Sequence, residues 1–169
     1  MKWIAISGSW RKIDKKVVRD VRKVVREIII NGNGIVSGGA LGVDYIAVDE
    51  ALKLDLLVNQ IKIYLPTSLV IFAKHYRKRA REGIITSKQA EEIISQLNKI
   101  ARANELAIIE NHHNKILNKD SYYERNSDVV KAADELIAFH VNNSEGTQDA
   151  IDKAKKKAIP IKEFNYTID

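Results

Sequence analysis

Apolar and polar positions along this chain follow two periods, and the places where one gives way to the other mark out its elements. Trp3 to Ser7 is a short apolar run that reads as a buried strand, and Gly8, Ser9 and Trp10 form a turn after it. Between Asp14 and Asn31 apolar side chains fall at Val17, Val18, Val21, Val24, Val25, Ile28 and Ile29. That spacing is helical, with Lys15, Lys16, Arg19, Arg22, Lys23 and Arg26 on the solvated face and Asp14 placed to cap the start. Gly34 to Ser37 predicts a second strand, Val43 to Leu54 a helix with Ile46, Ala47 and Ala51 as its apolar stripe, and Ile61 to Leu65 a third strand stopped by Pro66.

From Thr67 to Ser121 the regular alternation lapses. A basic helix, a second helical stretch from about Ser87 to Ala103 and a polar stretch from Glu110 to Ser121 read as an insertion or lid. The apolar stripe Ile93, Ile94, Leu97 and Ile100 within it needs a surface to cover, which predicts a homo-oligomer. Alternation returns with a helix from about Tyr123 to Ala133, a strand from Glu135 to Val141, a turn from Asn142 to Gly146, a helix from Thr147 to Lys157 and a last strand around Ile159 to Phe164. Strands alternating with helices in this way predict an α/β fold: a doubly wound, mostly parallel sheet in a single domain, carrying the helical insertion 67–121.

Composition narrows the class of function without naming it. A chain of 169 residues, 45% hydrophobic and 30% charged, is ordered and large enough for a sizeable core. No apolar run reaches the length of a membrane span, and Met1 and Lys2 lead straight into the first strand, so cytoplasmic residence is expected. With no cysteine there is no thiolate chemistry and no Cys-ligated zinc. His112 and His113 are adjacent and point apart, and His75 and His140 lie in other elements, so no metal site is predicted. No cofactor is called for either. The net charge of +6 includes a dense cluster, Lys74, His75, Tyr76, Arg77, Lys78, Arg79 and Arg81, that reads either as an exposed basic helix face or as a single-strand nucleic-acid contact.

Candidate chemistry gathers in three loops. In a doubly wound sheet ligands bind outside the carboxyl ends of the strands, and Ser7–Trp10, Gly38–Asp44 and Asn142–Thr147 all end strands at that edge. Each joins small residues to hydroxyl or amide groups just before a helix, where backbone N–H groups meet phosphate. These loops predict binding of a nucleotide or nucleotide-derived ligand. Trp10 is placed either to stack on a base or to pack into the fold.

Glycine-serine after the first strand, the SGGALGVD turn, the segment YYERNSDVVKAADELIAF and SEGTQDAIDKAKKKAIPI together resemble the SLOG superfamily of Rossmann-like proteins. That group joins the Smf/DprA DNA-processing proteins to the LONELY GUY phosphoribohydrolases and many small relatives. The resemblance implies a nucleotide pocket lined by Gly8, Ser9, Gly38, Gly39, Gly42, Asp44, Arg125, Asn126, Gly146 and Thr147. On the residues alone, Arg125 reads as a surface partner of Glu124 or Asp128, and Asp44 as a cap for the second helix. The phosphoribohydrolase branch carries a catalytic glutamate three positions after its threonine, where this chain has Ala150. Arg125, Glu145 and Asp149 are then the candidates for any catalysis, with Asp149 rotated about 100 degrees from the expected position. The expected function is binding or sensing of a nucleotide-derived ligand; nucleotide N-glycosidase activity and DprA-like single-strand DNA binding are the alternatives. The second would use Lys74, Arg77, Lys78, Arg79 and Arg81, with Lys155, Lys156 and Lys157.

Overall fold

The computed structural model describes residues 1–169. Its elements are β1 (Trp3–Gly8), α1 (Lys15–Ile30), β2 (Gly34–Ser37), α2 (Val43–Leu54), β3 (Ile61–Tyr64), α3 (Leu69–Arg81), α4 (Ser87–Ala103), a 3-10 turn (Glu105–Ala107), β4 (Ile108–Ile109), α5 (Lys119–Lys131), β5 (Glu135–Val141), α6 (Glu145–Lys157) and β6 (Ile161–Tyr166). The six strands lie in the order β4-β3-β2-β1-β5-β6, and every pairing is parallel rather than mostly so. The chain therefore winds outward from β1 to β4, then returns past the starting point to place β5 on the other side of β1. Connections diverge at the β1–β5 seam, where Ile4 pairs with Glu135 and Gly8 with Phe139.

Strand side chains alternate between two cores. Ile4, Ile6, Ile35, Ile63, Phe139 and Val141 join α1, α2, α3 and α4 in a cluster of thirty buried residues, whereas Ala5, Val36, Leu136 and Ala138 join α5 and α6 in one of ten. The predicted stripe of α1 is buried at Val17, Val21, Val25, Ile28 and Ile29, each such burial giving roughly 1.5–3 kcal/mol. Asp14 caps this helix by accepting from the Val17 N–H at 2.9 Å, as its position in the sequence predicts.

The segment 67–121 is more than an insertion. Phe72, Ile93, Leu97 and Ile100 are completely or almost completely buried in the larger core, and Ile108 and Ile109 add a strand to the sheet beside β3. The α4 stripe is thus covered by the chain's own fold, and the reason for expecting an oligomer goes with it. Trp3, expected in the core, is only partly buried at its edge, with the Lys62 ammonium 4.0 Å from its ring centroid. No helix is long and apolar enough to cross a membrane.

Candidate nucleotide site

The three loops converge as the sequence predicts, and α3 and α5 wall the space they enclose. The result is a cavity of about 840 Å³ over the β1–β5 seam. Its lining includes Gly8, Ser9, Trp10, Arg11 and Lys12 from the first loop, Gly38, Ala40 and Asp44 from the second, and Ser144 to Thr147 from the third. His75 and Arg79 come from α3, and Lys119, Tyr122, Tyr123, Arg125 and Asn126 from α5.

Arg125 occupies the centre of this arrangement. It is 8% exposed, so it is not the surface partner of Glu124 or Asp128 that its neighbours suggest. Its Nη1 donates to the Gly38 carbonyl, its Nε donates to Asn126 Oδ1 at 3.3 Å, and its guanidinium lies 5.5 Å from the Tyr122 ring centroid. It takes part in no ion pair, although a buried cation ordinarily has one. Gly38 leaves the space it needs: a Cβ there would meet the guanidinium.

Asp44 is a brace rather than a cap. The N-cap of α2 is Gly42, while Asp44 Oδ2 accepts from the N–H groups of Gly38 at 3.1 Å and Ala40 at 3.3 Å, folding the second loop back on its own helix. Burial pushes the Asp44 carboxyl up from its usual range, against the opposing pull of the Arg125 charge and of those hydrogen bonds. Gly42 has φ +75°, and its missing side chain leaves room for the Ser9 carbonyl and for Trp10 Cα, which a Cβ would approach to 2.6 Å. Gly39 and Gly42 therefore shape the turn and do not line the cavity, in contrast to the other glycines nominated.

At the third loop, Ser144 Oγ donates to Thr147 Oγ1 at 2.7 Å. Ser144 stands at the N-cap without bonding a backbone N–H through its side chain. The N–H groups of Glu145, Gly146 and Thr147 have no partner in the protein and sit at the positive end of α6 beside the cavity. Asn126 holds this helix start by donating to Gly146 O at 3.3 Å and to Asp149 Oδ2 at 3.0 Å.

The candidate catalytic carboxylates fare differently. Asp149 is turned away from the cavity and clamped by Lys153 at 2.6 Å, while Ala150 lines it. The rotation expected for a one-residue displacement is what the helix shows. Glu145 is well exposed at the mouth and paired with Lys119 at 3.1 Å. Of the lysines and arginines of the α3 cluster only Arg79 reaches the cavity, beside His75 and Tyr76; Arg77 pairs with Glu91, and Lys78 and Arg79 pair with Glu82, so much of it is a compensated solvated face. Lys157 is diverted altogether, donating to the carbonyls of Val130, Lys131 and Ala133 that end α5.

Sequence reasoning missed Arg11, Lys12, Lys119, Tyr122 and Tyr123 as lining residues. The signal for the last three was the helical spacing of Lys119, Tyr122, Tyr123 and Asn126, which places them on one face of α5. His75, placed by the sequence in the basic cluster, lies 3.4 Å from both the Tyr122 hydroxyl and Arg79 Nε. Its pKa is lowered by burial and by the charges of Arg79 and Lys78.

The family model for DNA recombination-mediator protein A matches residues 1–166. The chain belongs to that family. A solved structure of DNA processing protein A from Helicobacter pylori, described for its single-stranded DNA binding mode, is 26% identical with a TM-score of 0.68. The alignment covers 96% of this chain but 64% of that one, so the chain spans less than two thirds of this relative. The molybdenum cofactor carrier protein of Chlamydomonas reinhardtii is similar at 14% identity and TM-score 0.60 over 98% of this chain and 77% of its own, a likeness of fold alone. No curated protein matches the chain. Family and fold thus agree with the SLOG resemblance, and the sheet is Rossmann-like.

Proposed function

We propose that this protein binds single-stranded DNA at the carboxyl edge of its sheet, seating a nucleotide unit of the strand in the cavity over the β1–β5 seam. The observation that carries the reading is the buried Arg125, a cation with no carboxylate in contact, in a cavity that also presents the three unpartnered N–H groups of α6. A phosphate supplies what both lack: negative charge for the guanidinium and acceptors for the N–H groups. Arg11 and Lys12, which take part in no ion pair, extend positive charge around the opening, and Arg79 and Lys119 reach it while paired with Glu82 and Glu145. The H. pylori relative's described single-stranded DNA binding supports the same class of ligand.

A second reading follows from the cavity's size. A volume of about 840 Å³ admits a free nucleotide entirely, so a small nucleotide-derived ligand would use the same groups. Hydrolysis of such a ligand is less well supported, because a methyl group at Ala150 lines the cavity and Asp149 is engaged elsewhere.

Fluorescence anisotropy of a labelled oligothymidylate over a range of salt tests the first reading against the second. Strand binding predicts an affinity that falls linearly with salt on logarithmic axes and weak competition by mononucleotides. Absence of binding at low salt, together with a raised melting temperature in a mononucleotide, would transfer the site to a free ligand.

A further inference from the structure

We infer that Trp10 and Arg11 form a platform on which a nucleobase stacks at the mouth of the cavity, so that the site holds its strand by a base as well as by phosphate. This rests on the strand-binding function proposed above. The juxtaposition that carries it is an exposed indole, fixed in a rigid loop and flanked by an uncompensated cation, on the rim of a phosphate-binding cavity.

Trp10 is 45% exposed, whereas Phe72 and Phe139 are fully buried, so the indole is not part of either core. It is not loosely held either. The carbonyl of Ser9 accepts from the Val43 N–H at 3.0 Å, the hydroxyl of Ser9 accepts from the Lys12 N–H at 3.1 Å, and the backbone of Trp10 packs into the space left by Gly42. A large apolar ring held at the surface by a pinned backbone has little main-chain freedom left to lose when something settles on it.

The neighbouring charge defines what that something is. The Arg11 guanidinium carbon lies 4.7 Å from the indole centroid, and neither Arg11 nor Lys12 is engaged in an ion pair. An apolar peptide would meet two uncompensated cations there, while a nucleotide brings a flat π surface for the indole and a phosphate for the guanidinium. Arg11 lies over one face of the indole, so a base stacks on the other, with the guanidinium backing the ring. Stacking of this kind accepts any base.

The test compares two probes with one backbone: a fifteen-nucleotide oligothymidylate and an abasic strand of the same length. Both carry the phosphates; only the first carries bases. Wild-type protein should bind both, with quenching of tryptophan emission by the first alone, and a Trp3→Phe background leaves Trp10 as the sole tryptophan to report it. Trp10→Ala should weaken the oligothymidylate by about fivefold or more and leave the abasic strand unchanged, with Trp10→Phe recovering most of the loss. Equal effects of Trp10→Ala on both probes, no effect on either, or binding without quenching would overturn the platform while strand binding stands. Failure of the wild type to bind either probe would overturn both.

Discussion

Two groups of buried charge in this molecule are built on opposite plans. Between α1 and α2, the carboxylate of Glu50, 2% exposed, receives Arg22 at 2.9 Å, Arg26 at 2.6 Å and Lys53 at 3.2 Å. Burial alone would raise its pKa, but hydrogen bonds from the three cations overcome that and hold the carboxyl at about 2. Arg125, buried to a similar degree, has one carbonyl, one side-chain amide and an aromatic face around it and no anion in contact. The first group is complete within the protein and ties two helices together. The second has only the more distant charge of the buried Asp44 opposing it, and a bound phosphate would bring the anion in contact that it lacks.

The sharpest way to break this comparison is Arg125→Met. Removing a buried charge that has no carboxylate in contact should weaken oligothymidylate binding by about tenfold to a hundredfold, the range for losing hydrogen bonds to a charged group. The melting temperature should fall only modestly, because a buried charge is removed while Asp44 loses its opposing charge and the Gly38 carbonyl its donor. A large fall in stability without a change in affinity would show that Arg125 is structural like Glu50. The mirror experiment is Glu50→Gln, which should lower unfolding free energy by about 1–3 kcal/mol in denaturant titrations while leaving affinity unaltered, since its partners are partly solvated. The same pair of proteins sharpens the comparison through pH. The folded-state pKa of Glu50 lies below the ordinary 4.5, so its contribution is present above that value and lost as pH falls toward about 2. The stability gap between wild type and Glu50→Gln should therefore close as the pH is lowered through that window. The smallest effect is expected at Lys157, whose ammonium fills the carbonyl end of α5: Lys157→Met should cost about 1 kcal/mol of stability, with no change in strand binding.

Much of the fold is readable in the chain because periodicity reports burial directly. The bounds of β2, α2 and β5 follow from runs that begin and end at glycine, aspartate or asparagine, and the three loops follow from where those runs stop. What is not readable depends on contacts distant in sequence. Ile108 and Ile109 are too few to show a strand period, and only the edge of β3 makes them one. Arg125 sits among charged neighbours that suggest solvent, and its burial comes from the second loop, eighty-seven positions earlier. The stripe of α4 shows that it must be covered but not that the same chain covers it. Gly39 and Gly42 resemble ligand-facing glycines until the backbone that crowds them is known.

The two margins of the sheet have a consequence for how the protein behaves when concentrated. On one side β4 offers two residues, and on the other β6 exposes Lys162 and Glu163 along its short length. A stub and a charged strand are poor templates for a neighbouring molecule's backbone, so neither end of the sheet invites the strand-by-strand growth that leads to fibrils. Any assembly along a bound nucleic acid would have to form through helices and loops, with the sheets of adjacent molecules remaining separate.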